Sequence, residues 1–305
     1  MLLDRKQANN NAEDNTVSAP KTASQILPIT ISVVSLVVAG VAFYSRPVSE
    51  LENRSINSMQ EKTPFIRRLN DDKKIRIGFA NNPPQASLDP NSKEPTGYHV
   101  DLVREIARRA NVEVEWEEVS FSNMQLALES RVDAVIGAGF VSVERAETFW
   151  FTEPVFRLGL GYVALASNTE LNDFDSLKKP GVRVAYAVGS ASEEAVDMYF
   201  PKCEKVPLPK GELLRVGLEV ISGRADAGIV NQAQCQRMIA EHKELKAPLA
   251  KVPFYVFESA FSLPYGDLQA KEFWNASIRA LQANGFTDEL EKKYNPDGLY
   301  WTPAK

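Results

Sequence analysis

From residue 74 onward the apolar positions follow two periods, one of two residues and one near 3.6. Lys74-Ile75-Arg76-Ile77-Gly78 alternates as a half-buried strand does, and it breaks at the turn residues Asn81-Asn82-Pro83-Pro84. After Gly97 the residues Val100, Leu102, Val103, Ile106 and Ala107 recur on one helical face, and 112–119 (VEVEWEEV) alternates strictly. The same succession returns later. Strands are predicted at 182–188, 204–208 and 225–230, and helices at 192–200, 211–222 and 231–242. Residues 126–136 (LALESRVDAVI) and 218–229 (LEVISGRADAGI) echo each other: a helix end, a turn, an Arg-x-Asp step and a buried strand. Asp133 and Asp226 therefore read as structural, and two lobes of similar topology follow in succession. Strands alternating with helices predict an α/β fold of mostly parallel sheets with flanking helices. In such sheets a ligand binds beyond the carboxyl ends of the strands.

One segment departs from this pattern. Ile26–Tyr44 (ILPITISVVSLVVAGVAFY) carries no charge and approaches the roughly 20 apolar residues that cross a bilayer. It is longer than a signal-peptide core and follows about two dozen polar residues, so residues 26–45 read as one N-terminal transmembrane anchor. Cleavage near Gly40-Val41-Ala42 is the alternative. Residues 1–25 read as a disordered tail and 46–72 as a linker. The Lys/Arg balance around the anchor would by itself place the C-terminal side inside the cell.

Composition narrows the chemistry. A net charge of −5 with no basic run argues against nucleic acid. Cys203 and Cys235 form no CxxC, and His99 and His242 stand far apart. No metal site or cofactor is expected, no disulfide is expected, and no nucleophile or phosphate-loop motif occurs.

In their order, several stretches resemble the family 3 solute-binding proteins of ATP-driven uptake systems. They are Ile75–Gly78 with Pro83-Pro84, Thr96-Gly97-Tyr98 through Leu102, and Val132–Ile136 through Glu144-Arg145. Phe151-Thr152-Glu153-Pro154, Gly189-Ser190 with Glu193, and Gly223-Arg224 with Asp226-Ala227 complete the set. The resemblance implies a two-lobed type II periplasmic-binding-protein fold, with residues 73–163 and 257–305 in one lobe and 164–256 in the other. It implies a monomeric binder, not an enzyme, that captures a small carboxylate-bearing polar ligand, an amino acid or amino-acid-like compound, for ABC-type uptake. It implies ABC permease subunits as partners, and it overrides the charge balance by placing the lobes outside the cytoplasm, in the periplasm or at the cell exterior, behind an inner-membrane anchor or free if the segment is cleaved. A sensing or accessory domain is the alternative, and a dehydratase using Asp101, Glu153 or Glu258 a weaker one.

The resemblance also points to the ligand residues. Arg145, past the small-residue loop Gly137-Ala138-Gly139, matches the arginine that clamps a ligand carboxylate, a task suited to its planar fork. Ser190 and Ala191 open a helix whose first-turn N–H groups can face an anion, although Ser190 and Glu193 also form a capping box. The departures are as informative. Asn231 stands where an ammonium-binding Asp is usual, Phe140 where a hydroxyl is usual, and Gln85, with Asn82 upstream, where an aromatic is usual. Phe121 keeps a stacking aromatic. Amides compensate a buried ammonium poorly. The expected solute is therefore either a cation held by Phe121 and Phe140 or a carboxylate with neutral polar groups held by Asn82, Gln85 and Asn231.

Overall fold

The computed structural model describes residues 62–209 and 213–304. The tail, the expected anchor at 26–45 and most of the expected linker lie outside that range. Among the described residues no helix is long and apolar enough to cross a membrane.

The end of the expected linker is folded. Helix α1 (Pro64–Arg67), capped by the Thr63 hydroxyl, runs into a π-helical turn at Arg68–Asp72. Phe65 and Leu69, spaced i, i+4, are both buried, and Phe65 packs on Phe273 and Trp274. Apolar residues at helical spacing pulled this stretch onto the domain, a signal that its Pro and charge content had masked.

Strand β1 (Lys74–Ala80) leads through a turn to the ribbon β2 (Ser87–Leu88) and β3 (Pro95–Thr96), then to α2 (Tyr98–Ala110) and β4 (Glu113–Val119). Helix α3 (Met124–Ser130), β5 (Ala134–Ile136), α4 (Val143–Ala146) and β6 (Trp150–Phe151) follow. The long strand β7 (Phe156–Leu165) then opens the second lobe. That lobe contains β8 (Arg183–Ala187), α5 (Ala191–Tyr199), β9 (Glu204–Leu208), α6 (Val216–Ile221), β10 (Ala227–Asn231), α7 (Gln232–Glu241) and β11 (Leu245–Lys246). Strand β12 (Tyr255–Ser259) returns alongside β7, and β13 (Ser262–Leu263), α8 (Leu268–Ala283) and α9 (Phe286–Tyr294) belong with the first lobe. The final strand, β14 (Thr302–Pro303), pairs with the start of β7. The predicted helix 211–222 is shorter than expected: a 3-10 turn at Leu213–Arg215 precedes α6.

The first sheet has the order β4-β1-β5-β13-β6, and the second runs β11-β7-β10-β8-β9 with β12 and β14 also on β7. The expectation of mostly parallel sheets needs correction, because both sheets are mixed. Each has a parallel centre, β4-β1-β5 and β10-β8-β9. The strands added by the crossings between lobes, β7, β12 and β13, pair antiparallel. A chain that leaves a lobe and returns to it must do so in both directions, which imposes the antiparallel strands on an otherwise βαβ pattern.

The two Arg-x-Asp steps do the same job in both lobes. Asp133 accepts from the Arg76 N–H at 2.9 Å and from its guanidinium at 3.0 Å, while its own N–H donates to the Arg76 carbonyl at 2.7 Å. Asp226 does the same with Arg183, accepting at 2.9 and 2.6 Å and donating its N–H at 2.9 Å. Each aspartate thus locks the entry of its own strand to the entry of the lobe's first parallel strand. Arg68 adds a second guanidinium on Asp133.

The pairing with Arg183 holds the Asp226 carboxyl below its ordinary value of 3.8. A lowered folded value means the unfolded chain takes up the proton first as pH falls. The stabilisation is complete above pH 3.8 and is lost as pH drops through the folded value. Asp226→Asn should therefore cost about 1 kcal/mol at pH 7, after discounting for partial exposure. Urea unfolding at pH 7 and pH 3 checks this: the gap between wild type and variant should narrow in acid, and a gap independent of pH would contradict the assignment.

Candidate functional site

The parallel centres of both sheets aim their carboxyl ends at one cleft. From the first lobe come Asn82 and Gln85 after β1, Phe121 after β4, and Gly137–Phe140 after β5. From the second come Ser190, Ala191 and Ser192 after β8, Leu213, and Asn231 at the end of β10. The crossing strands form the remaining wall, with Leu158 and Leu160 from β7 and Phe257 and Ser259 from β12. The cavity measures about 30 Å³, room for little more than a water molecule, and is open on one side.

Eight of the residues singled out from sequence line this cavity: Asn82, Gln85, Phe121, Gly139, Phe140, Ser190, Ala191 and Asn231. The ninth, Arg145, lies immediately behind the wall. Sequence reasoning missed Leu158, Leu160, Phe257 and Ser259. Residues 158 and 160, and likewise 257 and 259, alternate on their strands, so the period-two pattern carried the signal once the crossings were known to border the cleft.

The loop after β5 is held tightly. The Ala260 N–H donates to the Gly139 carbonyl at 2.8 Å, and a Cβ on Gly139 would lie only 1.9 Å from the Ala260 carbonyl oxygen. Only glycine lets the loop approach the returning strand this closely.

The amides are less free than the sequence suggests. Asn231 caps α7, its Oδ1 accepting from the Gln234 N–H at 3.0 Å, and its Nδ2 donates across the cleft to Asn82 Oδ1 at 3.3 Å. Gln234 Nε2 donates to the same Asn82 Oδ1 at 3.2 Å and to the Pro83 carbonyl. Asn82 Nδ2 is bound to the Gly137 carbonyl at 3.0 Å. Gln85 differs: it is 1 % exposed, and its Nε2 has no hydrogen-bond partner among the described residues. It presents one buried donor to the cavity.

Ser190 is occupied within its own lobe, donating to the Ala187 carbonyl at 2.7 Å and accepting from the Ser192 N–H at 3.2 Å. Glu193 reaches back to the Gly189 N–H at 2.8 Å.

Arg145 sits between the lobes, its side chain 12 % exposed. Its Nη2 donates to the Gly189 carbonyl of the opposite lobe, and its Nη1 lies 3.4 Å from the Ala138 carbonyl. The guanidinium stacks over the Phe140 ring at 3.8 Å, and Glu194 of the second lobe approaches its Nε at 4.0 Å. Burial lowers the guanidinium to about 10, against the opposing pull of Glu194 and Glu193.

Behind the cavity, His99 Nδ1 accepts from the Gly137 N–H at 3.2 Å, which fixes the turn after β5. The ring stacks flat on Phe156, with centroids 4.9 Å apart, and Nε2 has no partner among the described residues. Full burial pushes His99 down to about 3, so the folded protein holds it neutral. The unfolded chain protonates near 6.5, so stability rises with pH between these values and falls on acidification. Between pH 7 and pH 5 the loss from this group should be about 2 kcal/mol. Urea unfolding of wild type and His99→Gln at both pH values should show this extra loss only in the wild type. Equal losses would remove His99 from the account.

The family of bacterial extracellular solute-binding proteins, family 3, matches residues 75–297. A probable histidine-binding protein of Campylobacter jejuni is 27% identical over 227 residues, which are 72% of this chain and 84% of the relative. A mutant of ArgBP from T. maritima superposes with a TM-score of 0.68 at 24% identity, covering 75% of this chain and 98% of that one. An ancestral amino acid-binding protein, described as a precursor of cyclohexadienyl dehydratase, gives a TM-score of 0.67 at 24% identity over 74% of this chain and 97% of its own. At that identity the two structures speak for the fold alone, and with the family match they lead to one conclusion: the chain belongs to the bacterial extracellular solute-binding proteins, family 3.

Proposed function

We propose that the protein captures a small carboxylate-bearing solute outside the cytoplasm and passes it to the permease subunits of an ABC uptake system. The observation that carries this reading is the cavity itself, walled by strand ends from both lobes, so that binding and lobe closure are one event. In this reading residues 26–45 tether a monomeric binder to the inner membrane, and the chain passes between the lobes at the start of β7 and along β12 rather than at residue 163.

The wall chemistry narrows the solute. Among the described residues lining the cavity there is no ionisable side chain. The Gln85 Nε2, without a partner among the described residues, calls for an acceptor, and the Arg145 guanidinium lies behind Phe140, 3.8 Å from its ring centroid. Both favour a carboxylate or a neutral polar group, and nothing in this wall neutralises an ammonium. Histidine, named for the Campylobacter relative, carries such an ammonium. A cation stacked on Phe140 is disfavoured as well, since Arg145 already covers that ring at 3.8 Å. The dehydratase alternative gains no support, because its candidate carboxylates are paired outside the cavity wall. Asp101 pairs with Lys293 at 2.7 Å, Glu258 with Arg157 at 3.2 Å, and Glu153 with Arg279.

A thermal-shift screen against amino acids, betaines and small carboxylates, followed by titration calorimetry, tests the reading. A family of small carboxylates should raise the midpoint, and silence across the whole panel would count against solute capture. Asn231→Asp should then act as a switch. The new carboxylate would face Asn82 Oδ1, acceptor against acceptor, across the 3.3 Å now bridged by a hydrogen bond. A solute ammonium would relieve that conflict. Affinity for primary-ammonium amino acids should rise about tenfold or more while affinity for a neutral-headed carboxylate falls. Unchanged affinities would show that the ammonium site lies elsewhere.

A further inference from the structure

The wall of the cleft is divided by chemistry as well as by lobe. Six bulky apolar side chains line it: Phe121 after β4, Phe140 after β5, Leu158 and Leu160 on β7, Leu213 before α6, and Phe257 on β12. All are buried, from 1 % exposure at Leu160 to 9 % at Phe257. Leu158 and Leu160 stand two residues apart on one strand, and Phe257 pairs with Leu158 directly across the ribbon, so the three share one face. The Phe140 and Phe257 rings meet edge to face at 5.7 Å and extend that surface. The polar side chains have another origin. Asn82, Gln85, Ser190, Ser192 and Asn231 stand at the carboxyl ends of the parallel strands, and the ribbon adds only the small hydroxyl of Ser259.

Such a wall selects by what it can and cannot solvate. The ribbon side rewards each apolar group that it covers, by about fourfold in affinity for every buried methylene. A charged or strongly polar substituent placed there would lose its water and find no donor, acceptor or countercharge in Leu158, Leu160 and Phe257. The strand ends can serve one small polar head. Ser190 is bound within its own lobe, and among the described residues the Gln85 Nε2 is a lining donor that still needs an acceptor. Lobe closure on a solute brings these same side chains around it, and the thickness of the solute sets how far apart they stand.

We propose that the solute is a monocarboxylate with an apolar body and no ammonium, its aliphatic or aromatic body seated on the β7–β12 ribbon and its acceptor-bearing head at the strand ends beside Gln85. The proposal rests on the solute-capture reading above and narrows its solute class. Leu158, Leu160 and Phe257 then set the specificity: they read the body of the solute, while the strand ends read its head. A second charge on the solute, of either sign, would have to be buried against the ribbon without a partner. A carboxylate whose neighbouring group is a hydrogen-bond acceptor, as in an α-keto acid, meets both requirements.

Titration calorimetry on the full chain with matched probes tests this. Pyruvate, α-ketobutyrate and α-ketovalerate lengthen the apolar body one methylene at a time, and phenylpyruvate makes it aromatic. α-Ketoglutarate replaces the terminal methyl of α-ketovalerate with a second carboxylate, and norvaline replaces its keto group with an ammonium. Affinity should climb about fourfold per methylene along the first series. α-Ketovalerate should bind at least about tenfold tighter than α-ketoglutarate or norvaline. Leu158→Ala should flatten the gradient, weakening α-ketovalerate several-fold while pyruvate, which has almost no body, changes little. Phe257→Leu keeps the face apolar and should keep the gradient; circular dichroism verifies that each variant is folded, and the wild-type series decides alone if one is not. A flat series, or α-ketoglutarate or norvaline binding as tightly as α-ketovalerate, overturns the apolar-body assignment while solute capture stands. An unchanged gradient in folded Leu158→Ala removes the ribbon from the specificity. Silence toward every probe and toward the wider thermal-shift panel overturns solute capture, and this assignment with it.

Discussion

The pairing of β7 with β12 governs the arrangement of everything else. Five consecutive residue pairs, from Leu160 with Tyr255 to Phe156 with Ser259, run antiparallel where the chain passes between the lobes. The two crossings are thereby tied to each other, and each sheet must present the same end to the ribbon. Because β1 and β5, like β8 and β10, run parallel within their sheets, that end is the carboxyl end in both lobes. The loops that carry Asn82, Gly139, Gly189 and Asn231 then have nowhere to point except at each other. The ribbon also supplies the cavity floor, since Leu158, Leu160, Phe257 and Ser259 alternate toward the cleft. Aromatic stacking holds its start: Phe156 lies between His99 and Trp301, with centroids 4.9 and 4.7 Å away.

Within that frame the cleft behaves as a polar network satisfied mostly by the protein itself. Asn82 takes two donors and gives one, Ser190 serves its own helix, and Arg145 finds a carbonyl and a ring. Buried polar groups demand partners, and in a closed clamp the partners come from the opposite lobe. Among the described residues, Gln85 alone of these wall residues is left with a donor unmet. The chemistry left for a solute is therefore narrower than the count of polar residues implies, and it is acceptor-seeking.

Much of this was legible in the chain. The strands at 74–78, 112–119 and 204–208 and the helix after Gly97 follow from period alone, because side chains on half-buried elements must alternate or recur with the backbone. The echo of Arg131-Val132-Asp133 in Arg224-Ala225-Asp226 marked two related lobes, and the structure gives its reason: each aspartate binds the first residues of a neighbouring parallel strand. Most of the cleft residues could be named too, since ligand loops follow strand ends and strand ends are visible. Less legible was the fold of residues 64–72, where a short apolar spacing was outweighed by proline and charge, and the mixed character of the sheets, which depends on where the chain crosses.

What the sequence by itself determined is local: which segments are strands and helices, which faces are apolar, and which loops carry Arg145, Phe140, Gln85 and Asn231. These follow from periodicity and residue chemistry, which act over a few residues. Only the tertiary structure decided which of those groups are free. Asn82 and Asn231 lie 149 residues apart, and Arg145 and Gly189 lie 44 apart, yet each pair is joined by a hydrogen bond. No local pattern encodes such partnerships, because they arise only when two sheets are folded against each other and every buried donor must find the nearest acceptor.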